Sequence, residues 1–154
     1  MSIPITLSAS FPIESVDDLR TRVKAEANRS DLTDDEINEF IQRAESRFNR
    51  LLRVPAMEAV ASGTLTDGAT AEPSDFLQLR AMYDADSVAI PAVDPVQWIE
   101  NQYGAKVHCR IGGSFRVNPA ADETVTIIYY AKIPALSAEQ STNWLLTSHP
   151  DVYL

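Results

Sequence analysis

Apolar residues recur at helical spacing in two stretches near the start of the chain. In the second stretch, Thr33 and Glu36 match a capping box, in which each side chain satisfies the other residue's backbone N–H. The residues that follow form one apolar stripe at i, i+3 and i+4 spacing: Ile37, Phe40, Ile41, Ala44, Phe48, Leu51 and Leu52. This pattern predicts a helix over residues 33–53, antiparallel to a shorter helix over residues 15–28 that Ser15 caps.

Residues 1–14 lack this spacing, and Pro4 and Pro12 disfavour a helix there, so an extended N-terminal arm is predicted. No basic start followed by an apolar stretch of signal-peptide length is present. No apolar run approaches the ~20 residues that a membrane span needs, and we expect no membrane partner.

Strand-like alternation replaces the helical spacing in a β region over residues 56–133. The clearest case is a hairpin in which Gly112 and Gly113 form the turn between residues 106–111 and 115–117. A long strand over residues 123–133 follows, and we expect these three strands to form an antiparallel meander.

The earlier part of the β region is less regular. A strand is predicted over residues 76–83, with residues 87–90 as its hairpin partner. Asp94 and Pro95 then suit the start of a short helix that runs through Gln102.

The C-terminal segment over residues 137–154 is rich in apolar residues, although chain ends are usually polar and frayed unless something holds them. Such an end is docked in a core, contacts another subunit, or belongs to a chain meant to continue. Ser148, Pro150 and Asp151 suit a helix start, so we expect an incomplete helical segment here.

The order of these elements predicts an α+β fold in a single domain over residues 15–154. It comprises an N-terminal antiparallel helical hairpin, a small antiparallel β region with hairpins, and C-terminal helical pieces.

Charge and cysteine content narrow the functional classes. The 154 residues include 13 basic and 22 acidic side chains, a net charge of −9, which opposes free binding to nucleic acid. The single cysteine, Cys109, excludes an internal disulfide framework.

Residues that could form a catalytic or metal site are few. His108 and Cys109 are neighbours on a predicted strand and point to opposite faces, which indicates a core cysteine beside an exposed histidine. His149 precedes a proline and is interpreted as a turn residue. The acidic cluster Asp34, Asp35 and Glu36 lacks the spacing of a calcium loop and suits the first turn of a helix. We therefore expect no enzymatic activity, no metal and no cofactor.

Two sets of residues are candidates for a protein interface. One is a row of arginines along the long helix, Arg43, Arg47, Arg50 and Arg53, which also complements the helix dipole. The other comprises the apolar C-terminal residues Trp144, Leu145, Leu146, Val152, Tyr153 and Leu154.

Three stretches resemble the adaptor, or head–tail connector, proteins of tailed bacteriophages: residues 32–58, 73–83 and 129–154. The last, YYAKIPALSAEQSTNWLLTSHPDVYL, is the most specific. The resemblance implies a virion structural protein without catalytic activity, made in the host bacterial cytoplasm and placed at the head–tail junction. It implies a homo-oligomeric ring, commonly dodecameric, between the portal and the tail or nozzle proteins, with double-stranded DNA passing through without sequence-specific binding.

Proteins of this type normally continue past the His149 to Asp151 stretch into a further helical segment, so the resemblance implies that this chain is cut short. The alternative is a soluble carbohydrate- or peptide-binding β module with an attached helical hairpin, its site around Trp98 and Tyr103. A small hydrolase would need a convergent His, Asp and Ser set that the sequence does not offer.

Overall fold

The chain forms two compact units in a computed structural model, which describes residues 12–100 and 104–154. The helical unit comprises the described residues up to Leu52 together with Ile133–Leu154, and the β unit is Arg53–Lys132. The predicted combination of helices with antiparallel sheets is confirmed. Most of the predicted N-terminal arm lies outside the described residues.

Two capped helices begin the helical unit. Helix α1 (Val16–Glu26) starts after Ser15, whose hydroxyl accepts a hydrogen bond from the Asp18 N–H at 3.2 Å. Helix α2 (Asp34–Leu51) starts with the predicted capping box of Thr33 and Glu36. Both helices end two residues before their predicted limits.

The helical core draws on both ends of the chain. Six buried apolar side chains form it: Val16, Leu19, Ile37, Ile41, Leu136 and Leu146. Burying a leucine or isoleucine side chain contributes roughly 1.5–3 kcal/mol, so the two leucines from the C-terminal part are a substantial share of this small core. Residues 133–154 are therefore part of the helical fold.

Six strands form two three-stranded antiparallel sheets in the described part of the β unit. Their ranges are β1 (Glu58–Thr64), β2 (Ala69–Ala71), β3 (Phe76–Tyr83), β4 (Val107–Ile111), β5 (Ser114–Asn118) and β6 (Thr124–Ala131). The strand orders are β1-β6-β3 and β2-β5-β4.

The predicted hairpin of β4 and β5 is confirmed, and Gly112 and Gly113 have the positive φ angles of 60° and 79° that its turn requires. The predicted meander is wrong, because β6 pairs with β1 and β3 in the other sheet. Strand β1 was not predicted; its sequence, EAVASGT, is poor in the β-branched and aromatic residues that mark strands. The prediction placed β6 beside β5, the strand that precedes it in the chain, although its true partner β3 was also predicted as a strand.

The remaining predictions in the β unit are confirmed in part. Residues 87–90 make one antiparallel bridge, between Tyr83 and Ala89, and not a full strand. Helix α3 (Pro95–Ile99) is capped by Asp94 as predicted, and its expected continuation through Gln102 enters the segment that the structure does not describe.

The C-terminal segment contains helix α4 (Trp144–Ser148) and a 3₁₀ helix at Pro150–Tyr153, whereas residues 137–143 are not helical. The predicted helix start at Pro150 is confirmed as a 3₁₀ helix, but its cap is His149 and not Ser148, which is the last residue of α4. Helix α4 was not predicted separately; Asn143 caps it, because its Oδ1 accepts the Leu146 N–H at 2.8 Å. Within the described residues, no helix has the length and apolar character needed to cross a membrane.

Candidate assembly interface

The C-terminal segment is docked in the helical unit. Leu145 and Leu146 are buried, and the Leu146 side chain is completely removed from solvent. The Tyr153 ring packs edge-to-face on Phe48 with centroids 5.4 Å apart. The Val16 N–H donates to the Ser141 carbonyl at 2.8 Å, which joins the start of α1 to the chain preceding α4. Docking in a core was one of three explanations that the sequence left open for the apolar C-terminal segment.

A buried polar cluster holds this segment on α2. Glu45 is 4% exposed, and its Oε1 accepts hydrogen bonds from the Leu136 N–H at 3.0 Å and the Tyr153 hydroxyl at 3.3 Å. The Asn143 amide donates to the Pro134 carbonyl at 2.8 Å and to the Tyr153 oxygen at 3.0 Å. These directional bonds fix the position of the segment, which apolar contacts alone would leave less specified.

Burial dominates the electrostatics of this cluster. It raises the pKa of Glu45, and the hydrogen bonds from Leu136 and Tyr153 oppose that rise. It also raises the pKa of Tyr153 to about 12. No lysine or arginine within the described residues pairs with Glu45, so the carboxylate form is stabilised by hydrogen bonds and not by an opposite charge.

An open groove lies where α2 meets the 3₁₀ helix. It consists of two hollows that share Tyr153 and Leu154 among their lining residues. We call it the helical groove and define it by Phe40, Arg43, Arg47, Val152 and Leu154. The three apolar side chains of this set are all exposed. Exposed aromatic and aliphatic groups beside arginines are typical of protein-binding surfaces.

The arginines predicted as one row occupy different environments. Arg43 donates to the Glu39 carboxylate at 3.1 Å and lies 5.8 Å from the centroid of the Phe40 ring. Arg47 and Arg50 are exposed and have no hydrogen bond or ion pair to any described residue. Arg53 lies past the end of α2 and donates to the Gln78 Oε1 at 2.9 Å within the β unit. The exposed cations of α2 are therefore Arg43, Arg47 and Arg50.

The C-terminal candidates also divide. Leu146 belongs to the helical core and Leu145 is also buried, so neither side chain is available for contact with another protein. Trp144 is half-buried, and so is Tyr153, through its contacts with Phe48 and Glu45. Val152 and Leu154 remain exposed in the helical groove. The sequence could not separate core from surface here, because both use apolar residues.

The histidine and cysteine of the β unit are structural. His108 is 3% exposed, so its predicted exposure is wrong. It lies opposite Val117, a core residue, and its Nδ1 is 2.8 Å from the Ile90 carbonyl. Burial lowers the pKa of His108 and raises the pKa of the Cys109 thiol, which favours the neutral form of each.

Cys109 is paired across the sheet with Arg116, so the two neighbours do point to opposite faces of β4. Both are nevertheless buried: the His108 ring packs edge-to-face on Phe115 with centroids 6.4 Å apart, and α3 contacts β4. His108 was predicted to be exposed because the alternation within β4 does not reveal the neighbouring segments that cover it.

The acidic cluster on α2 serves the helix. Asp34 accepts from the Lys24 ammonium at 2.8 Å, and Glu36 completes the capping box with Thr33. In the part of the chain that the structure describes, no three His, Cys, Asp or Glu side chains gather as metal ligands would.

The alternative binding site around Trp98 is only partly covered by the described residues. The Trp98 side chain is half-buried, and its backbone carbonyl accepts from the Asn118 amide at 2.8 Å. Tyr103, its proposed companion, lies outside the described residues.

These features define a mixed helix-and-strand protein with an exposed apolar and cationic groove. A family model described as the SU10 adaptor protein matches residues 15–154. The chain belongs to this family of phage head–tail adaptors, which confirms the resemblance seen in the sequence. A search of curated proteins found no match.

Family membership gives the general role. The chain is a structural adaptor of a bacteriophage and a component of the virion. It associates with other virion components at the head–tail junction.

Proposed function

We propose that copies of this chain form a ring between the portal and the tail or nozzle proteins, around the channel through which DNA leaves the head. The ring is dodecameric, in keeping with portal symmetry, and the protein has no enzymatic activity. The observation that carries the proposal is the helical groove, an exposed apolar surface with adjacent cations in a chain whose family consists of adaptors.

The groove has the chemistry of a subunit contact. Its apolar members lose water when a partner covers them, which stabilises a complex by roughly 25 cal/mol per Å² of apolar area. Its arginines supply directional contacts to acidic groups. The interface that we propose comprises Arg43, Arg47, Val152, Tyr153 and Leu154. In this proposal α1 and α2 form the antiparallel hairpin that supports it.

The net charge of −9 suits a protein beside a DNA channel. An acidic surface repels phosphate, so DNA passes without being held. In this proposal the double-stranded DNA passes through the channel without binding to the protein. The binding partners are the portal, the tail proteins and other copies of the chain.

The test is the solution mass of the chain by light scattering across a concentration series, alone and with the portal protein of the same phage. A discrete, ring-sized assembly in either condition is the expected result. A monomer under both conditions, at concentrations above those in an assembling virion, would contradict the proposal and favour the small binding module.

A further inference from the structure

The outer face of α3 carries a second exposed apolar surface. Val96 and Ile99, three residues apart on one face of the helix, are 61% and 71% exposed. Acidic residues flank them at both ends, Asp94 before the helix and Glu100 after it. We call this surface the α3 ridge and define it by these four residues.

Its two carboxylates are in different situations. Oδ1 of Asp94 accepts from the Val96 and Gln97 N–H groups at 2.8 and 3.0 Å, so this side chain is committed to capping the helix. Glu100 is exposed and has no ion pair to any residue that the structure describes. The ridge therefore presents two aliphatic side chains next to one available negative charge.

The helical groove presents the opposite combination. Phe40, Val152 and Leu154 are exposed apolar groups, and Arg47 beside them is a cation without an ion pair among the described residues. Arg43, the other cation of the groove, already has Glu39 as a partner. The two surfaces thus match in both hydrophobicity and charge.

We propose that the α3 ridge of one copy docks in the helical groove of the next, with Val96 and Ile99 against the apolar groove residues and Glu100 beside Arg47. The inference rests on the proposed function, since it names the surfaces by which copies of the adaptor meet. A helix face inserted in an apolar groove is a common mode of recognition.

The occupant of the groove is a second copy because one chain carries both complementary surfaces. Two different patches meeting in this way make a heterologous contact, which repeats from copy to copy and closes into a ring when the rotation allows. Copies that each carry a charge of −9 repel one another, so a contact between them needs a local cation such as Arg47.

Charge reversal with rescue tests the proposal. Arg47→Glu and Glu100→Arg are each expected to raise the concentration needed for assembly at least about tenfold, because each places like charges in contact. The double variant, with both charges exchanged, is expected to assemble within about threefold of the wild type, since it restores the opposite pair. Light scattering measures the assembly, and circular dichroism checks that each variant is folded.

Arg50→Glu is the matched control, because it makes the same change in net charge on the same exposed face of α2 but outside the groove. Combining it with Glu100→Arg should give no rescue. For the apolar half of the contact, Ile99→Ser should impair assembly more than Ile111→Ser, which alters an exposed isoleucine in the β4–β5 hairpin.

The outcomes separate the two proposals. If the wild type forms rings and the Glu100 and Ile99 variants assemble equally well, the ridge-in-groove contact is wrong and the adaptor ring stands. If deletion of residues 1–11 alone abolishes assembly while these variants do not, the groove has a different occupant and the contact is again wrong. If the wild type forms no ring with or without the portal, both proposals fail together.

Discussion

The two units of this protein close their cores in different ways. The β unit is one continuous segment, and its core contains nine buried side chains that include the packed rings of Phe76, Phe115 and Tyr129. The core cluster of the helical unit has six buried apolar residues and obtains two of them, Leu136 and Leu146, from the far end of the chain. The helical unit therefore depends on long-range contacts for its fold, and it also carries the helical groove.

Burial also shifts the pKa values of Glu45 in the helical unit and His108 in the β unit in opposite directions. It raises the pKa of Glu45 in the helical unit and lowers the pKa of His108 in the β unit. Both shifts favour the neutral form, because an apolar environment disfavours charge of either sign. The contribution of Glu45 to stability is therefore lost as the pH rises, whereas the contribution of His108 is lost as the pH falls.

The largest effect is expected in the β core. Phe115→Ala should lower the free energy of unfolding by roughly 3–5 kcal/mol, because the ring is fully buried and packs edge-on against Phe76. Denaturant unfolding measures this loss. A value below about 1 kcal/mol would mean that Phe115 is not part of a close-packed core.

Shortening the buried Leu146 side chain should have the next largest effect. Leu146→Ala is expected to cost roughly 2–5 kcal/mol, because it empties a site at the centre of the helical core. Hydrogen exchange should become faster in α1 and α2 than in β6. Leu51→Ala, at an exposed site on α2, is the control and should change stability by less than about 0.5 kcal/mol. Equal losses from the two substitutions would contradict docking of the C-terminal segment.

A moderate effect is expected at the start of α2. Thr33→Ala should cost about 1 kcal/mol, because it removes the hydroxyl that accepts the Glu36 N–H and breaks the capping box. Thermal unfolding followed by circular dichroism measures the change. Ser46→Ala, in the middle of the exposed face of α2, should change stability little, and a similar loss there would exclude capping as the cause.

The smallest effect is expected in the pH dependence of the helical unit. The pKa of Glu45 is raised on folding, so its contribution to stability is complete below the ordinary value of 4.5 and is lost as the pH rises through the higher folded value. Glu45→Gln keeps the accepting oxygen and removes this titration. The variant should gain stability relative to the wild type between pH 4 and pH 8, as measured by denaturant unfolding.

Glu39→Gln, on the exposed face of α2, is the matched control and should follow the wild-type profile. A Glu45→Gln variant that loses stability relative to the wild type as the pH rises would show that the carboxylate form is preferred on folding, contrary to this account.

Local signals in the sequence predicted local structure well. The capping box of Thr33 and Glu36 and the turn at Gly112 and Gly113 each specify hydrogen bonds between residues close in the chain, and both are present. The neighbour of β6 could not be predicted in this way. Ala61 of β1 pairs with Ile127 of β6, 66 residues later in the chain. A strand of small residues such as β1 is also difficult to recognise from its sequence.

The candidate site shows the same division. The apolar character of the C-terminal segment was evident in the sequence. Which of its residues are buried was not, because the residues that cover Leu146 and leave Val152 exposed come from α1 and α2, far away in the sequence. The role of Glu45 was not predicted, because a single glutamate in a helix is usually exposed. A signal was nevertheless present, since Glu45 lies one turn after Ile41, on the apolar side of α2.

The most direct test of the central claim, that the helical groove is an assembly surface, is hydroxyl-radical footprinting of the free chain and of its assembly with the portal. We predict that Phe40, Val152 and Leu154 lose reactivity on assembly, whereas Val60, an exposed residue of β1, keeps more of its reactivity. Unchanged reactivity of the three groove residues in a fully assembled sample would contradict the account.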